Sequence, residues 1–123
     1  MVVFGGAKGG GGLVGDDLYM LDVSQGKDLA HWMTIPVIGM TPGRRYGHSM
    51  VYIKPHIVLF GGNKGTGPEN DLWTLNTEVT PFYWTKIETE GAQPAPRDYH
   101  TAAVCDTGTA SGMMVIHGGR SSE

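Results

Sequence analysis

The stretch Ile57-Val-Leu-Phe-Gly-Gly62 decides the fold, because two further copies of it occur in the same chain. Met1-Val-Val-Phe-Gly-Gly6 precedes it, and Met114-Val-Ile-His-Gly-Gly119 follows it. Self-similarity at a regular spacing is typical of repeat architectures, in which each repeat is one supersecondary unit. The chain is therefore expected to consist of copies of a single unit.

The other segments of this unit recur in the same order. An aspartate-leucine-aromatic segment, a tryptophan segment and an arginine-histidine segment each occur twice, as Asp17–Leu21 and Asp71–Leu75, Trp32–Ile35 and Trp84–Ile87, and Arg45–Ser49 and Arg97–Thr101. The interval from the tryptophan to the next histidine is the same in both copies. The segment that leaves one unit and enters the next is therefore held at constant length.

Each unit is predicted to contain four short strands. The run Ile57–Phe60 is apolar throughout and lies between Pro55 and a glycine pair, which favours a strand over a helix. Continuous apolarity indicates burial on both faces, yet residues 54–56 are too few for the crossover of a parallel sheet. An antiparallel sheet covered on both faces needs a further sheet on each side. Radial stacking in a β-propeller provides that cover.

The sequence therefore predicts an all-β chain that forms part of a β-propeller, with about two four-stranded antiparallel blades plus partial strands. A partial blade is expected over residues 1–36, a full blade over 44–88 and a partial blade over 96–120, which gives nine strands. Propellers typically have about 4–8 blades, so the chain has the character of an excerpt. We expect self-association through its open blade edges and exposed apolar sheet faces.

Several repeated residues are predicted to have structural roles. Glycine suits the sharp exit from a buried strand, where φ is positive and another backbone lies close. The tryptophans are expected to pack across the gap to an adjacent sheet, and the repeated histidines to hydrogen-bond backbone groups at the start of the inner strand. These structural roles are assigned to Gly5, Gly6, Gly61, Gly62, Gly118, Gly119, Trp32, Trp84, His48 and His100.

Length, charge and composition argue against several classes of protein. The 123 residues suffice for one domain, and no apolar run approaches the ~20 residues of a membrane-spanning helix. A net charge of −3 with nine lysine and arginine residues gives no basic stripe for nucleic acid. The lone Cys105 is expected to be a buried, inert thiol, which favours an intracellular location, cytoplasmic or nuclear. We therefore expect neither a nucleic-acid nor a membrane partner.

No motif in the sequence predicts catalysis, a metal or a cofactor. Gly10–Gly15 fits a dinucleotide-binding glycine pattern, but the strand-like Asp17–Leu21 follows where that motif needs a helix. Asp16 and Asp17 are adjacent, so their side chains would point to opposite faces of a strand rather than into one site. The repeated histidines are equivalents of each other, which favours a structural role over metal ligation.

The set of motifs resembles the kelch repeat family: an apolar strand, a glycine pair, an aromatic strand, a tryptophan strand and then an arginine-histidine strand. The resemblance covers nearly the whole chain. More closely, Asn70–Asn76, Pro81–Lys86 and Ile116–Arg120 resemble the kelch region of phosphatases that carry an amino-terminal kelch propeller ahead of a Ser/Thr phosphatase domain. None of the metal-binding motifs of such a phosphatase domain occurs here, so the segment itself is not predicted to be an enzyme.

The kelch resemblance implies that partners bind on the face formed by the connections between units and by the loops after the glycine pairs. Arginine and tyrosine are frequent among interface hot spots. Two of the arginines, Arg45 and Arg97, lie three residues before a repeated histidine and are expected mainly to tie one blade to the next. The candidate contact residues are Arg44, Arg45, Tyr46, Lys64, Arg97, Tyr99 and Arg120.

The leading hypothesis for function is a protein-interaction module. It would present loops on a rigid scaffold to a protein partner, or position substrate for a phosphatase domain elsewhere in the parent chain. Two alternatives stay open at this point. One is a metal-dependent oxidase or lyase built on a kelch propeller, and the other is an actin-associated architectural scaffold.

Overall fold

Three β-sheets follow one another along the chain in the computed structural model, which describes residues 1–122. The first sheet contains β1 (Val2–Phe4), β2 (Leu18–Asp22) and β3 (His31–Ile35). The middle sheet contains β4 (Val37–Ile38), β5 (Ser49–Ile53), β6 (His56–Phe60), β7 (Leu72–Asn76) and β8 (Phe82–Ile87). The last sheet contains β9 (Thr101–Cys105) and β10 (Met113–His117).

Apart from β4, consecutive strands of each sheet pair in antiparallel fashion, in the order expected for propeller blades. The helical content of the described residues is limited to three 3-10 turns in loops, at Gly9–Gly11, Lys27–Leu29 and Gly108–Ala110. None of them has the length and apolarity that crossing a membrane requires. The prediction of an all-β partial propeller is confirmed, with sheets that do not close into a ring.

The middle sheet holds one strand more than the sequence predicts. β4 pairs in parallel with the outer strand β8, with Val37 opposite Phe82 and Ile38 opposite Tyr83. This tenth strand satisfies backbone groups that would otherwise be unpaired along the edge of β8. The second blade therefore begins before its predicted start at residue 44. A two-residue strand carries too little periodicity to be predicted.

The central strand β6 is buried on both faces, as its continuous apolarity predicts. Ile57 and Leu59 lie on one face and are 3% and 0% exposed, whereas Val58 and Phe60 lie on the other and are 8% and 3% exposed. Each such burial stabilises the fold by ~1.5–3 kcal/mol. The core between the first and middle sheets consists of Phe4, Leu18, Ile57, Leu59, Trp73, Leu75 and Trp84.

The two repeated tryptophans have different environments. Trp84 is 6% exposed, and its ring centroid lies 5.5 Å from that of Phe4 in the preceding sheet. Trp32 is 54% exposed and Tyr19, on the neighbouring strand, is 38% exposed. Trp32 is predicted to pack against an adjacent sheet. It does not do so, because no sheet within the described residues covers that side of the first sheet.

The glycine pairs join neighbouring sheets through the backbone. The Gly6 N–H donates to the Arg45 carbonyl at 2.8 Å, and the Gly62 N–H donates to the Arg97 carbonyl at 2.9 Å. Gly61 makes the second approach possible, because a Cβ there would lie only 2.9 Å from the Arg97 carbonyl oxygen. Gly61 also has a φ of +67°, which favours glycine.

A Cβ on the other glycines of the pairs would meet different neighbours. A Cβ on Gly5 would lie 2.6 Å from the Arg45 carbonyl oxygen of the next sheet. A Cβ on Gly119 would lie 2.6 Å from the Asp98 carbonyl oxygen of its own sheet. A Cβ on Gly118 would meet no atom of the described residues within 4 Å.

Gly61→Ala is expected to destabilise the fold by about 3 kcal/mol, because the added Cβ would overlap the neighbouring carbonyl oxygen. Gly10→Ala is the matched control, since Gly10 also has a positive φ, +76°, but a Cβ there meets no atom within 4 Å. Its cost is conformational only, about 1 kcal/mol. Urea unfolding followed by tryptophan fluorescence compares the two variants. Equal losses would contradict the role of the glycine pair as a close-contact clamp.

Candidate functional site

The connections between blades and the loops after the glycine pairs emerge at one end of the sheets. Because β5 and β6 are antiparallel neighbours, the start of β5 and the end of β6 lie at the same end of the sheet. We call this end the loop face and define it as residues 7–17, 39–48, 61–71, 88–100 and 118–122. All seven candidate contact residues lie in these segments.

Arg45 is fully buried beneath the loop face. Its Nη1 and Nη2 donate to the two carboxylate oxygens of Asp71 at 2.7 and 2.9 Å, and Nη1 also donates to the Gly61 carbonyl at 2.8 Å. Its Nε donates to the Pro42 carbonyl at 3.1 Å. This bidentate pair fixes the connection between blades to the start of β7.

The Arg45–Asp71 pair also sets the ionisation of the carboxyl group. Burial opposes the charged form of Asp71, but the hydrogen bonds and the charge of Arg45 outweigh it and hold the pKa below its ordinary value. The Asp71 carboxyl group is therefore ionised near neutral pH. Removing either one would leave the other as an uncompensated charge in the interior.

The burial of Arg45 corrects its assignment as a contact residue. A side chain with 0% exposed area cannot touch a partner, and all its donors described above are used inside the fold. Its carbonyl also accepts a hydrogen bond from Gly6 of the preceding sheet. The equivalent Arg97 is half-buried and donates to the Ala95 and Gly118 carbonyls at 3.1 Å.

Two buried residues of the loop face, Asn63 and Asp98, are absent from the contact residues predicted from the sequence. Asn63 donates from Nδ2 to the Asp98 carboxylate at 3.0 Å, and the two residues are 9% and 1% exposed. Arg120 donates from Nε to the same carboxylate at 3.1 Å. Burial opposes the ionisation of Asp98, but these hydrogen bonds keep its pKa below the ordinary value.

Repeat equivalence is the signal that could have revealed these residues. Asn63 and Arg120 both follow a glycine pair directly, and Tyr46 and Asp98 both follow the arginine of the next unit. Each residue of the first kind forms a backbone bridge with one of the second: Asn63 with Tyr46, and Arg120 with Asp98. The bridges close each blade at the loop face.

An exposed aromatic and cationic group lies beside this network. The rings of Tyr46 and Tyr99 are 5.8 Å apart between centroids, with an interplanar angle of 49°. The guanidinium carbon of Arg120 lies 5.3 Å from the centroid of the Tyr99 ring, which is cation–π geometry. Tyr99 is 60% exposed, and the Arg120 side chain is 65% exposed. A partner could therefore contact both.

Arg44 and Lys64 add two further exposed cations to the loop face. The Lys64 side chain lies beside Gly43, the residue before Arg44, because a Cβ on Gly43 would lie 3.7 Å from the Cε of Lys64. Together with Arg120 they offer N–H donors to carbonyl and carboxylate oxygens of a partner. The arrangement is suited to binding a polypeptide.

The repeated histidines lie at the entrance to the inner strands. The Nε2 of His100 is hydrogen-bonded to the Ser49 hydroxyl at 2.7 Å, which links β9 to β5 of the preceding sheet. Burial lowers the pKa of His48 to about 4. Burial, followed by the charge of Arg97, also lowers the pKa of His100. Both rings are therefore neutral near pH 7 and add no positive charge to the loop face.

The described part of the chain contains no group of three or more His, Cys, Asp and Glu side chains placed to hold a metal ion. Cys105 is half-buried rather than fully buried as expected. The glycine-rich loop forms a 3-10 turn at Gly9–Gly11 and an isolated bridge between Ala7 and Leu13 before β2 begins. It does not lead into the helix that a dinucleotide-binding loop requires.

Comparison with known proteins identifies the repeat. Residues 1–123 match the family model described as the KLHDC2/KLHL20/DRC7 Kelch-repeats domain. The chain belongs to the kelch-repeat family. This kelch segment is 38% identical over 121 residues to the serine/threonine-protein phosphatase BSL2 of Arabidopsis thaliana. The aligned residues make up 98% of the segment and 11% of that protein.

Two other relatives carry the same kind of segment. Host cell factor 2 of Homo sapiens is 36% identical over 111 residues, covering 85% of the kelch segment and 13% of that protein. Kelch domain-containing protein 10 of Xenopus laevis is 41% identical over 78 residues, covering 63% of the kelch segment and 17% of that protein. The kelch segment thus spans less than a fifth of the length of these relatives. The resemblance to kelch-carrying phosphatases is confirmed.

Arg45→Met is expected to reduce the free energy of unfolding by about 3 kcal/mol, because the carboxylate of Asp71, whose side chain is only 10% exposed, would lose its charge partner. Arg44→Met is the matched control, since the adjacent arginine is exposed and its loss should change stability by about 0.5 kcal/mol or less. Thermal and urea unfolding measure both variants. A similar small effect for the two would show that the buried pair does not hold the connection between blades.

Proposed function

We propose that this kelch segment is part of a protein-interaction module whose loop face binds another polypeptide. The observation that carries the proposal is the grouping of Arg44, Lys64 and Arg120 with Tyr46 and Tyr99 on one face. Exposed arginine and tyrosine on a rigid scaffold are typical of interface hot spots. The mechanism is complementarity of shape and hydrogen bonding.

The underlying framework supports this proposal. The Arg45–Asp71 pair and the Asn63–Asp98 hydrogen bond support these exposed side chains, and Arg45, Asn63 and Asp98 are buried while Asp71 is half-buried. Loops held in this way lose little conformational freedom when a partner binds, which favours affinity. The loop face thus combines fixed backbone with exposed donors.

We further propose that the loop face serves a phosphatase domain in the parent protein. The support is the 38% identity to BSL2 over 98% of the kelch segment. In this role the loop face would bring protein substrates or regulators close to a catalytic domain carried by another part of the chain. An intracellular location, cytoplasmic or nuclear, belongs to the same proposal and is supported by the unpaired Cys105.

Arg44→Ala combined with Lys64→Ala in the intact parent protein is expected to reduce capture of partner proteins by about tenfold, because two exposed cations of the loop face are lost. Lys27→Ala combined with Lys54→Ala is the charge-matched control. Both of these lysines are exposed and lie in turns at the opposite end of the sheets. Quantitative mass spectrometry of proteins captured from a native extract compares the two double variants.

The proposal requires the first double variant to lose a set of partners that the second retains. Equal capture by both variants would overturn the assignment of binding to the loop face. A shift in melting temperature confined to the first variant would also count against it, because the effect would then report folding rather than contact. Dephosphorylation of the captured proteins by the parent protein tests the link to a phosphatase domain separately.

We also propose that the isolated kelch segment self-associates through the uncovered face of its first sheet. Trp32 and Tyr19 on that face are 54% and 38% exposed. Their repeat equivalents in the middle sheet, Trp84 and Trp73, are 6% and 5% exposed. A sheet face that is normally covered by another blade is a site of association when left open.

Trp32→Glu is expected to lower the weight-average mass of the isolated segment in sedimentation equilibrium, because it places a charge on the uncovered face. Leu29→Glu is the control: Leu29 is 64% exposed but lies in a 3-10 turn outside the sheet. A wild-type segment that sediments as a stable monomer at micromolar concentration would refute self-association.

A further inference from the structure

Tyr99 occupies a backbone conformation that a tyrosine rarely adopts. Its φ is +57°, and no other non-glycine residue among residues 1–122 has a positive φ. The equivalent position in the preceding unit is Gly47, with a φ of +67°. The Tyr99 N–H donates to the Gly47 carbonyl at 2.8 Å, so the two left-handed residues meet where adjacent blades join. The fold needs the left-handed bend at this position, and glycine satisfies it without strain.

The core does not account for the tyrosine side chain. Tyr99 is 60% exposed, whereas the residues on either side, Asp98 and His100, are 1% and 7% exposed. Its ring packs only at the surface, beside the ring of Tyr46 and beneath the guanidinium of Arg120. Strained residues that are retained at the surface of a rigid scaffold are typical of functional sites.

Arg120 is held in place over that ring. Its Nε and Nη2 donate to the Asp98 carboxylate at 3.1 and 3.4 Å, and its backbone exchanges two hydrogen bonds with Asp98. Asp98 is fixed in turn by Asn63. The guanidinium and the ring therefore form a stacked pair whose geometry exists before a partner arrives. Such pre-organisation lowers the entropic cost of binding.

We propose that Tyr99 is a specificity-determining contact residue of the loop face, kept in its left-handed conformation for binding rather than for folding, with Arg120 stacked on it as the second half of the contact. The ligand is an extended polypeptide segment that covers the Tyr99 ring and accepts hydrogen bonds from Arg120. This inference rests on the proposed function of the loop face. It adds that Tyr99 is a contact residue and that its strained backbone conformation serves binding.

The test separates folding from binding at one position. Tyr99→Gly gives the residue that the preceding unit already uses, so the melting temperature of the intact protein should stay within about 4 °C of the wild type. Tyr99→Phe keeps the ring and its stacking on Arg120. The probe is a phage-displayed library of random peptides selected on the immobilised intact protein, followed by fluorescence-polarisation titration of the most enriched peptide.

The expected result is a loss of affinity of about tenfold or more for Tyr99→Gly, with Tyr99→Phe within about threefold of the wild type. Wild-type affinity in Tyr99→Gly would overturn the inference, and so would a selection that enriches no peptide. A fall in melting temperature well beyond 4 °C for Tyr99→Gly would also overturn it, because the ring would then serve folding. Weak binding by Tyr99→Phe would assign the contact to the phenol hydroxyl and would overturn the assignment to the ring.

The double variant Arg44→Ala with Lys64→Ala, titrated with the same peptide, separates this inference from the proposed function. If that variant binds weakly while Tyr99→Gly binds normally, the loop face is the binding site but Tyr99 is not its determinant. If neither variant changes the affinity, the peptide binds elsewhere and both the proposed function and this inference fail.

Discussion

The hydrogen bond from the second glycine of one sheet to the arginine carbonyl of the next is the contact on which the rest of the structure depends. It joins Gly6 to Arg45 and Gly62 to Arg97 by main-chain atoms alone. A Cβ on Gly5 or Gly61 would lie 2.6 or 2.9 Å from the arginine carbonyl oxygen of the next sheet, so the first glycine of these two pairs leaves no room for a side chain. The contact therefore fixes the position of each arginine before its side chain is considered.

The side chains complete what this backbone contact begins. Once its carbonyl is fixed, the Arg45 guanidinium reaches forward into its own sheet and meets Asp71 at the start of β7. The histidine three residues later is brought to the entrance of the inner strand, where His100 bonds Ser49 of the neighbouring blade. One short segment thus connects two blades and closes one of them, which explains why its length is constant in both copies.

Much of this fold could be predicted because its main contacts depend on residue types that few others can replace. Paired glycines, buried β-branched runs and recurring tryptophans indicate strands and sheet stacking directly. The burial of Arg45 could not be predicted in the same way, because its partner lies 26 residues away and an arginine in a connection is ordinarily solvated. The strand β4 is similarly hidden, since it pairs through backbone groups that any residue possesses.

The candidate site was predictable to a comparable degree. Residue type alone indicated the exposed Arg44, Lys64 and Arg120, because arginine and lysine in surface loops are usually solvated. The buried Asn63–Asp98 pair carries no motif of its own. It becomes visible only when equivalent positions of the repeats are compared, as does the substitution of a tyrosine for Gly47 in the following unit.

The pairing of β4 with β8 has a consequence for how such proteins are subdivided. Residues 37–38 follow the last strand of the first blade in the chain, yet they form the outer edge strand of the second blade. A repeat read from the sequence and a blade seen in space are therefore offset by a few residues. If a whole repeat were exchanged between two such proteins, the short strand that follows its last strand would be transferred with it. That strand would then form the outer edge of the next blade.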